Sequence, residues 1–162
     1  MEIGTTLLCL PNLQKRIQGI KYINEAIRAI RQPYAQHRLT SSKDLIARLR
    51  ELGVVAHVFG ENTHYELVRR ATDLIRLFFN EKEINESEID MIWTVCMKQG
   101  EQIKLEVYKI ILEVLRSAYT TMTDRTKEHF IDKMASMSPS QVIERDIEIV
   151  TELGKKGGIA YR

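Results

Sequence analysis

The sequence predicts an all-α protein: antiparallel helix pairs, seven or eight helices in all, stacked as an armadillo- or HEAT-like α-solenoid. Three observations lead there. Apolar residues recur at steps of three and four along most of the chain, the spacing of one helix face. Proline and glycine are few, three and eight in 162 residues, and the glycines fall mostly at segment ends, where they stop helices. The connections between periodic segments are short, which forces neighbouring helices to run antiparallel. No segment alternates apolar and polar residues cleanly between turn signals, so no sheet is expected. Stacked helix pairs of about 40 residues suit the solenoid, and a plain helical bundle is the competing architecture.

The first predicted helix starts near Asn12 and runs to Ile30, with Leu13, Ile17, Ile20, Ile23, Ile27 and Ile30 on one face. Lys15, Arg16, Lys21, Arg28 and Arg31 occupy the other. Pro33 ends it, because proline disfavours helical geometry in the residue before it. Ser41 and Ser42 are good N-caps for a helix carrying Leu45, Ile46, Leu49 and Leu52, which Gly53 terminates. The run Val54-Val55-Ala56-His57-Val58-Phe59 has the length of a single strand, but a short helix between two longer ones fits its neighbours better. Asn62 or Thr63 should cap a helix with Leu67, Val68, Ala71, Leu74, Ile75, Phe78 and Phe79 inward. Asn85-Glu86-Ser87-Glu88 is a capping box opening a helix with Ile89, Ile92, Trp93 and Cys96. Residues 101–118 follow, with Ile103, Val107, Ile110, Ile111, Val114 and Leu115 inward. Thr123-Asp124 starts a helix carrying Phe130, Ile131 and Met134. Ser138-Pro139-Ser140-Gln141 combines an N-cap with proline at the first helical position, and Val142, Ile143, Ile147, Val150 and Leu153 continue to Gly154. Residues 1–162 read as a single helical-repeat domain, with 1–10 and 155–162 as partly flexible ends.

The chain is 44% apolar and 28% charged, the make-up of an ordinary soluble globular protein. Its formal net charge of +2 is spread unevenly: residues 1–80 hold twelve Lys/Arg against seven Asp/Glu, and the remainder twelve against fifteen. A polyanion-binding domain would show a denser basic stripe, and the tyrosines are not interleaved with basic residues as base stacking requires; no nucleic-acid partner is expected. No apolar run approaches the length of a membrane span. With no signal peptide and two distant cysteines among apolar neighbours, Cys9 and Cys96, the expectation is a cytoplasmic protein with buried free thiols.

Catalytic signatures are missing. The carboxylates at Glu86/Glu88/Asp90 and Glu144/Asp146/Glu148 lack a histidine at metal-ligand spacing, and the four histidines are scattered. No glycine loop follows a strand to cradle phosphate, since Gly154-Lys155-Lys156-Gly157-Gly158 follows a helix. No metal ligands, cofactor or catalytic residues are assigned. The one candidate binding feature is the basic face of the first helix, with Lys21, Arg28 and Arg31 as partner-binding residues.

The stretch from Asn62 to Phe78, then Ile84-Asn85-Glu86-Ser87-Glu88-Ile89-Asp90-Met91-Ile92-Trp93, Gln99-Gly100-Glu101 and Val107 to Ile111, resembles the N-terminal helical-repeat region of the fat-facets class (X-linked type) of ubiquitin-specific proteases. Its best marker is the Ile89-Asp90-Met91-Ile92-Trp93 helix, and the likeness covers roughly residues 7–135. The resemblance implies a large cytosolic cysteine-type deubiquitinase as parent. The family's Gly-Asn-Thr-Cys cysteine box and Gly-His-Tyr-type histidine box are absent, so Cys9 and Cys96 inherit no catalytic role. What carries over is a non-catalytic scaffold that recruits protein partners or ubiquitinated substrates. The alternative reading is a free-standing helical adaptor that binds acidic partners, anionic membrane or RNA through its basic N-terminal half.

Overall fold

The computed structural model describes residues 2–32, 41–118, 122–137 and 144–157, and every regular element among them is α-helical. The helices are α1 (Glu2–Leu8), α2 (Leu13–Arg31), α3 (Ser42–Glu51), α4 (Val54–Phe59), α5 (Tyr65–Val68), α6 (Thr72–Asn80), α7 (Glu86–Lys98), α8 (Glu101–Ala118), α9 (Asp124–Ala135) and α10 (Glu144–Gly157). The all-α expectation holds. The count of seven or eight does not: ten helices lie among the described residues, for two local reasons.

The first is α1, ahead of the expected start at Asn12. It carries only a weak apolar pattern and is held instead by close packing on α2, where Gly4 and Gly19 face each other. The second is a break in the helix expected across residues 63–79. His64, not Asn62 or Thr63, caps α5, its Nδ1 accepting from the Glu66 amide. The Thr63 hydroxyl donates back to the Val58 carbonyl. The ladder then tightens to three-residue spacing, with the amides of Arg70 and Ala71 donating to Leu67 and Val68. The carbonyl of Arg70 turns to Asn24 of α2, whose side-chain amide donates to it at 2.8 Å. The apolar stripe ignores the break: Leu67, Val68, Ala71, Leu74, Ile75 and Phe78 are all buried.

Other local signals act as read. Asn12 caps α2, Ser41 and Asp44 form a capping box on α3, and Asn85 and Glu88 form another on α7. Gly53, at φ +62°, takes the left-handed turn between α3 and α4 that a side chain would strain. Thr123 caps α9. Losing a cap of this kind costs about 1 kcal/mol, so Asn85→Ala should lower stability by about that amount in urea titrations. The Ser138-Pro139-Ser140-Gln141 start lies outside the described residues.

The α5–α6 segment lies between the two longest helices, touching α2 on one side and α8 on the other. Around this axis α1 packs on α2, α3 on α4 and α6, α4 on α7, α7 on α8, α9 on α7 and α10, and α10 on α8. Trp93 and Cys96 of α7 are buried as expected. Charged pairs stitch the surface: Arg125 of α9 meets Glu86 of α7, and Asp90 of α7 lies 2.7 Å from both His129 and Lys133 of α9.

The Lys133 ammonium, followed by the His129 ring, holds the Asp90 carboxyl below its usual range, and Arg125 does the same to Glu86. A carboxylate depressed on folding stabilises the fold above its unfolded pKa, near 4, and loses that contribution as pH falls through the folded value. The contribution of the α7–α9 pairs should therefore be complete above about pH 5 and be lost progressively as pH falls below about 4. Melting curves of the protein against Asp90→Asn across that range test this, the two converging in acid.

Candidate functional site

Lys21, Arg28 and Arg31 are all exposed on α2. Lys21 and Arg28, two helical turns apart, share one side of it. They are not equivalent. Arg28 is ion-paired with Asp73 of α6, its Nε and guanidinium nitrogen 3.0 and 2.9 Å from the carboxylate. Partial burial draws the Arg31 guanidinium below its usual range, against the opposing pull of the carboxylates of Asp73 on α6 and Glu81 just past it. The strip therefore holds α2 to α6 at Arg28 and presents Lys21 beside the exposed ring of Tyr22. Arg16, from the same sequence face, is turned elsewhere: it donates to the carbonyls of His57 (2.7 Å) and Asn62 (2.8 Å).

The α9–α10 face offers an apolar surface that sequence periodicity assigned to the core. Ile147 and Val150 of α10 are 62% and 51% exposed and Ile131 of α9 is 43% exposed. With Met134 and Met137 they line a groove of about 370 Å³ between α9 and α10. The buried stripe of α10 is Asp146, Ile149 and Leu153, in place of the expected Ile147, Val150 and Leu153. The cause is polar. The hydroxyl of Tyr108, fully buried on α8, donates to the carboxylate of Asp146, itself 1% exposed. A buried hydrogen bond to a charged group is strong, and an orphaned buried carboxylate is costly. α10 therefore turns its Asp146 side inward and leaves two aliphatic residues outside. Burial, reinforced by the bond to Asp146, drives the Tyr108 hydroxyl to hold its proton far above the ordinary tyrosine range.

The two cysteines part company. Cys96 is buried beside Tyr108, and burial pushes its thiol up to about 12, so it is a packing residue. Cys9 is exposed, against the expectation of a buried thiol. It stands just past α1 in the corner before Pro11, where its apolar sequence neighbours do not enclose it. Among the described residues no group of three or more His, Cys, Asp or Glu side chains is placed to hold a metal ion. No helix among them is long and apolar enough to cross a membrane.

No protein-family model matches the chain. Two curated proteins are similar to it. Ubiquitin carboxyl-terminal hydrolase puf of Drosophila melanogaster is 32% identical over 108 residues, which is 67% of this chain and 3% of that protein. Ubiquitin carboxyl-terminal hydrolase 34 of Homo sapiens is 22% identical over 161 residues, 96% of this chain and 4% of that protein. The chain thus spans only a few per cent of the length of the curated relatives it matches. Its all-helical fold is related in sequence to segments of ubiquitin carboxyl-terminal hydrolases.

Proposed function

We propose that this chain is a non-catalytic scaffold segment of a large ubiquitin-specific protease of the fat-facets class, in which residues 1–162 form one unit of an armadillo- or HEAT-like α-solenoid. The observation that carries the reading is the combination of the α9–α10 groove with the relatives' length. A solenoid repeat buries its apolar face only against the next repeat, and an exposed apolar patch of this kind marks a protein contact. The groove fits a following helical repeat. The layered order of contacts, from α1–α2 through α5–α6 to α8 and α10, supports the same architecture.

The outward role is recruitment of protein partners or ubiquitinated substrates in the cytoplasm, with the exposed basic side of α2 as the place for an acidic segment. Lys21 and Arg31 are the residues to change, with neutral glutamine at 31, because glutamate at position 28 would face Asp73 and at position 31 would stand near Asp73 and Glu81. The Lys21→Glu/Arg31→Gln pair should weaken capture of an acidic partner several-fold while leaving the melting temperature unchanged; unaltered capture would remove the basic face from consideration.

The scaffold reading is tested in the full-length protein. Deleting residues 2–157 should leave hydrolysis of a fluorogenic ubiquitin amide intact and reduce processing of its polyubiquitinated protein substrates. Loss of the fluorogenic activity on deletion would instead place the segment in the catalytic apparatus.

A further inference from the structure

Cys9 is not alone in its corner. Its Sγ lies 3.1 Å from Nε2 of His57 on α4, a contact across 48 residues of sequence that no local pattern announces. The backbone of His57 is fixed from behind by the Arg16 guanidinium, which binds the His57 carbonyl at 2.7 Å and the Asn62 carbonyl at 2.8 Å. α2 thereby clamps the histidine-bearing helix and the loop after it against the turn that carries the cysteine. The pair opens on a cleft of about 720 Å³, walled also by Pro11, Glu61 and His64. An exposed nucleophile, a base within hydrogen-bond reach on an anchored stretch of backbone, and room for a ligand are the elements that thiol chemistry needs.

We propose that Cys9 is a modification site, at which His57 serves as the base for thiol–disulfide exchange with a low-molecular-weight disulfide accommodated by the cleft. With its own proton on Nδ1, His57 accepts the Cys9 thiol proton at Nε2. The thiolate attacks one sulfur of the incoming disulfide, forming the Cys9 Sγ–S bond as the ligand's S–S bond breaks. The departing thiolate takes the proton from His57. Cys9 is oxidised to the mixed disulfide and the departing half is reduced to a thiol. Exchange proceeds through the thiolate, and its rate depends on access and on the ease of forming that thiolate. Cys96, buried with its thiol held protonated, does not compete.

The whole chain is treated with glutathione disulfide and followed by intact mass and peptide mapping. The expected result is a single adduct on the peptide containing Cys9, formed roughly tenfold faster than by the same chain unfolded in urea at equal pH. Cys9→Ser should abolish the adduct and Cys96→Ser should leave it. His57→Gln, shown folded by its melting curve, should slow it by roughly tenfold. An adduct on Cys96, a native rate no greater than the unfolded one, or an unchanged rate in His57→Gln would each overturn the proposal. The native-against-unfolded comparison needs no variant and stands even if His57→Gln fails to fold.

Discussion

Replacing Glu88 by alanine is expected to destabilise the protein by about 3 kcal/mol, a large share of the roughly 5–15 kcal/mol that holds a domain folded. Glu88 serves two structures at once. Its carboxylate accepts from the Asn85 amide at 3.0 Å, closing the cap of α7. It also receives Arg50 of α3 in a two-pronged pair at 2.8 and 3.1 Å. The same guanidinium donates to the Glu83 carbonyl at 2.5 Å and lies 5.4 Å from the centre of the buried Phe78 ring. The Glu88 side chain is 9% exposed and that of Arg50 37%. Removing one partner of a buried pair strands the other, at about 3–5 kcal/mol; the partial exposure of Arg50 puts the expectation at the low end. Glu51→Ala is the control, since it breaks the open pair with Arg48 on the surface of α3, where the loss is below about 1 kcal/mol. Urea titrations of the two variants should separate them clearly. Equal midpoints would mean that the Arg50–Glu88 pair contributes no more than an open surface pair.

The second large effect comes from adding one methyl group. A Cβ at Gly19 would stand 2.5 Å from the carbonyl oxygen of Gly4 and 2.6 Å from the amide nitrogen of Leu8. Both are backbone atoms of α1 or its last residue, so no side chain can swing aside. Glycine-to-alanine changes inside a helix ordinarily stabilise it by about 1 kcal/mol. At position 19 the sign should reverse, with a net loss of about 2 kcal/mol from forcing α1 off α2. Gly154→Ala on α10, where a Cβ meets nothing within 4 Å, should be neutral or slightly stabilising. Thermal melts of the two variants against the parent decide the matter. A Gly19→Ala protein as stable as the parent would show that α1 is not seated on α2 as closely as described.

Helix positions and most inward faces were legible because they rest on local rules. Helix starts at Asn12 and Thr123, caps at Ser41 and Asn85, and apolar steps of three and four need no knowledge of the partner element. What periodicity could not show was set by contacts distant in sequence. α1 exists because two glycines let it lie against α2, and glycine carries no periodic signal. The α5–α6 break sits where Asn24 takes a carbonyl from a helix 46 residues away. The rotation of α10 was misjudged because both of its stripes contain aliphatic residues, and the choice between them falls to a tyrosine 38 residues upstream. The candidate sites follow the same division: the basic face of α2 was visible as a list, while its partial engagement by Asp73, and the meeting of Cys9 with His57, required the fold.

The Tyr108–Asp146 bond therefore does more than anchor a helix. α10 has two seatings available to its sequence, one with Ile147 and Val150 inward and one with Asp146 inward, and the oxygen of Tyr108 selects the second. One phenolic oxygen thus acts as a selector for how greasy an outer face of the molecule is. Phenylalanine at position 108 would remove the selector, and the two aliphatic residues would then compete with a carboxylate that wants water. The surface left for a neighbouring element is consequently determined from inside the core, by an atom that such a neighbour would never touch.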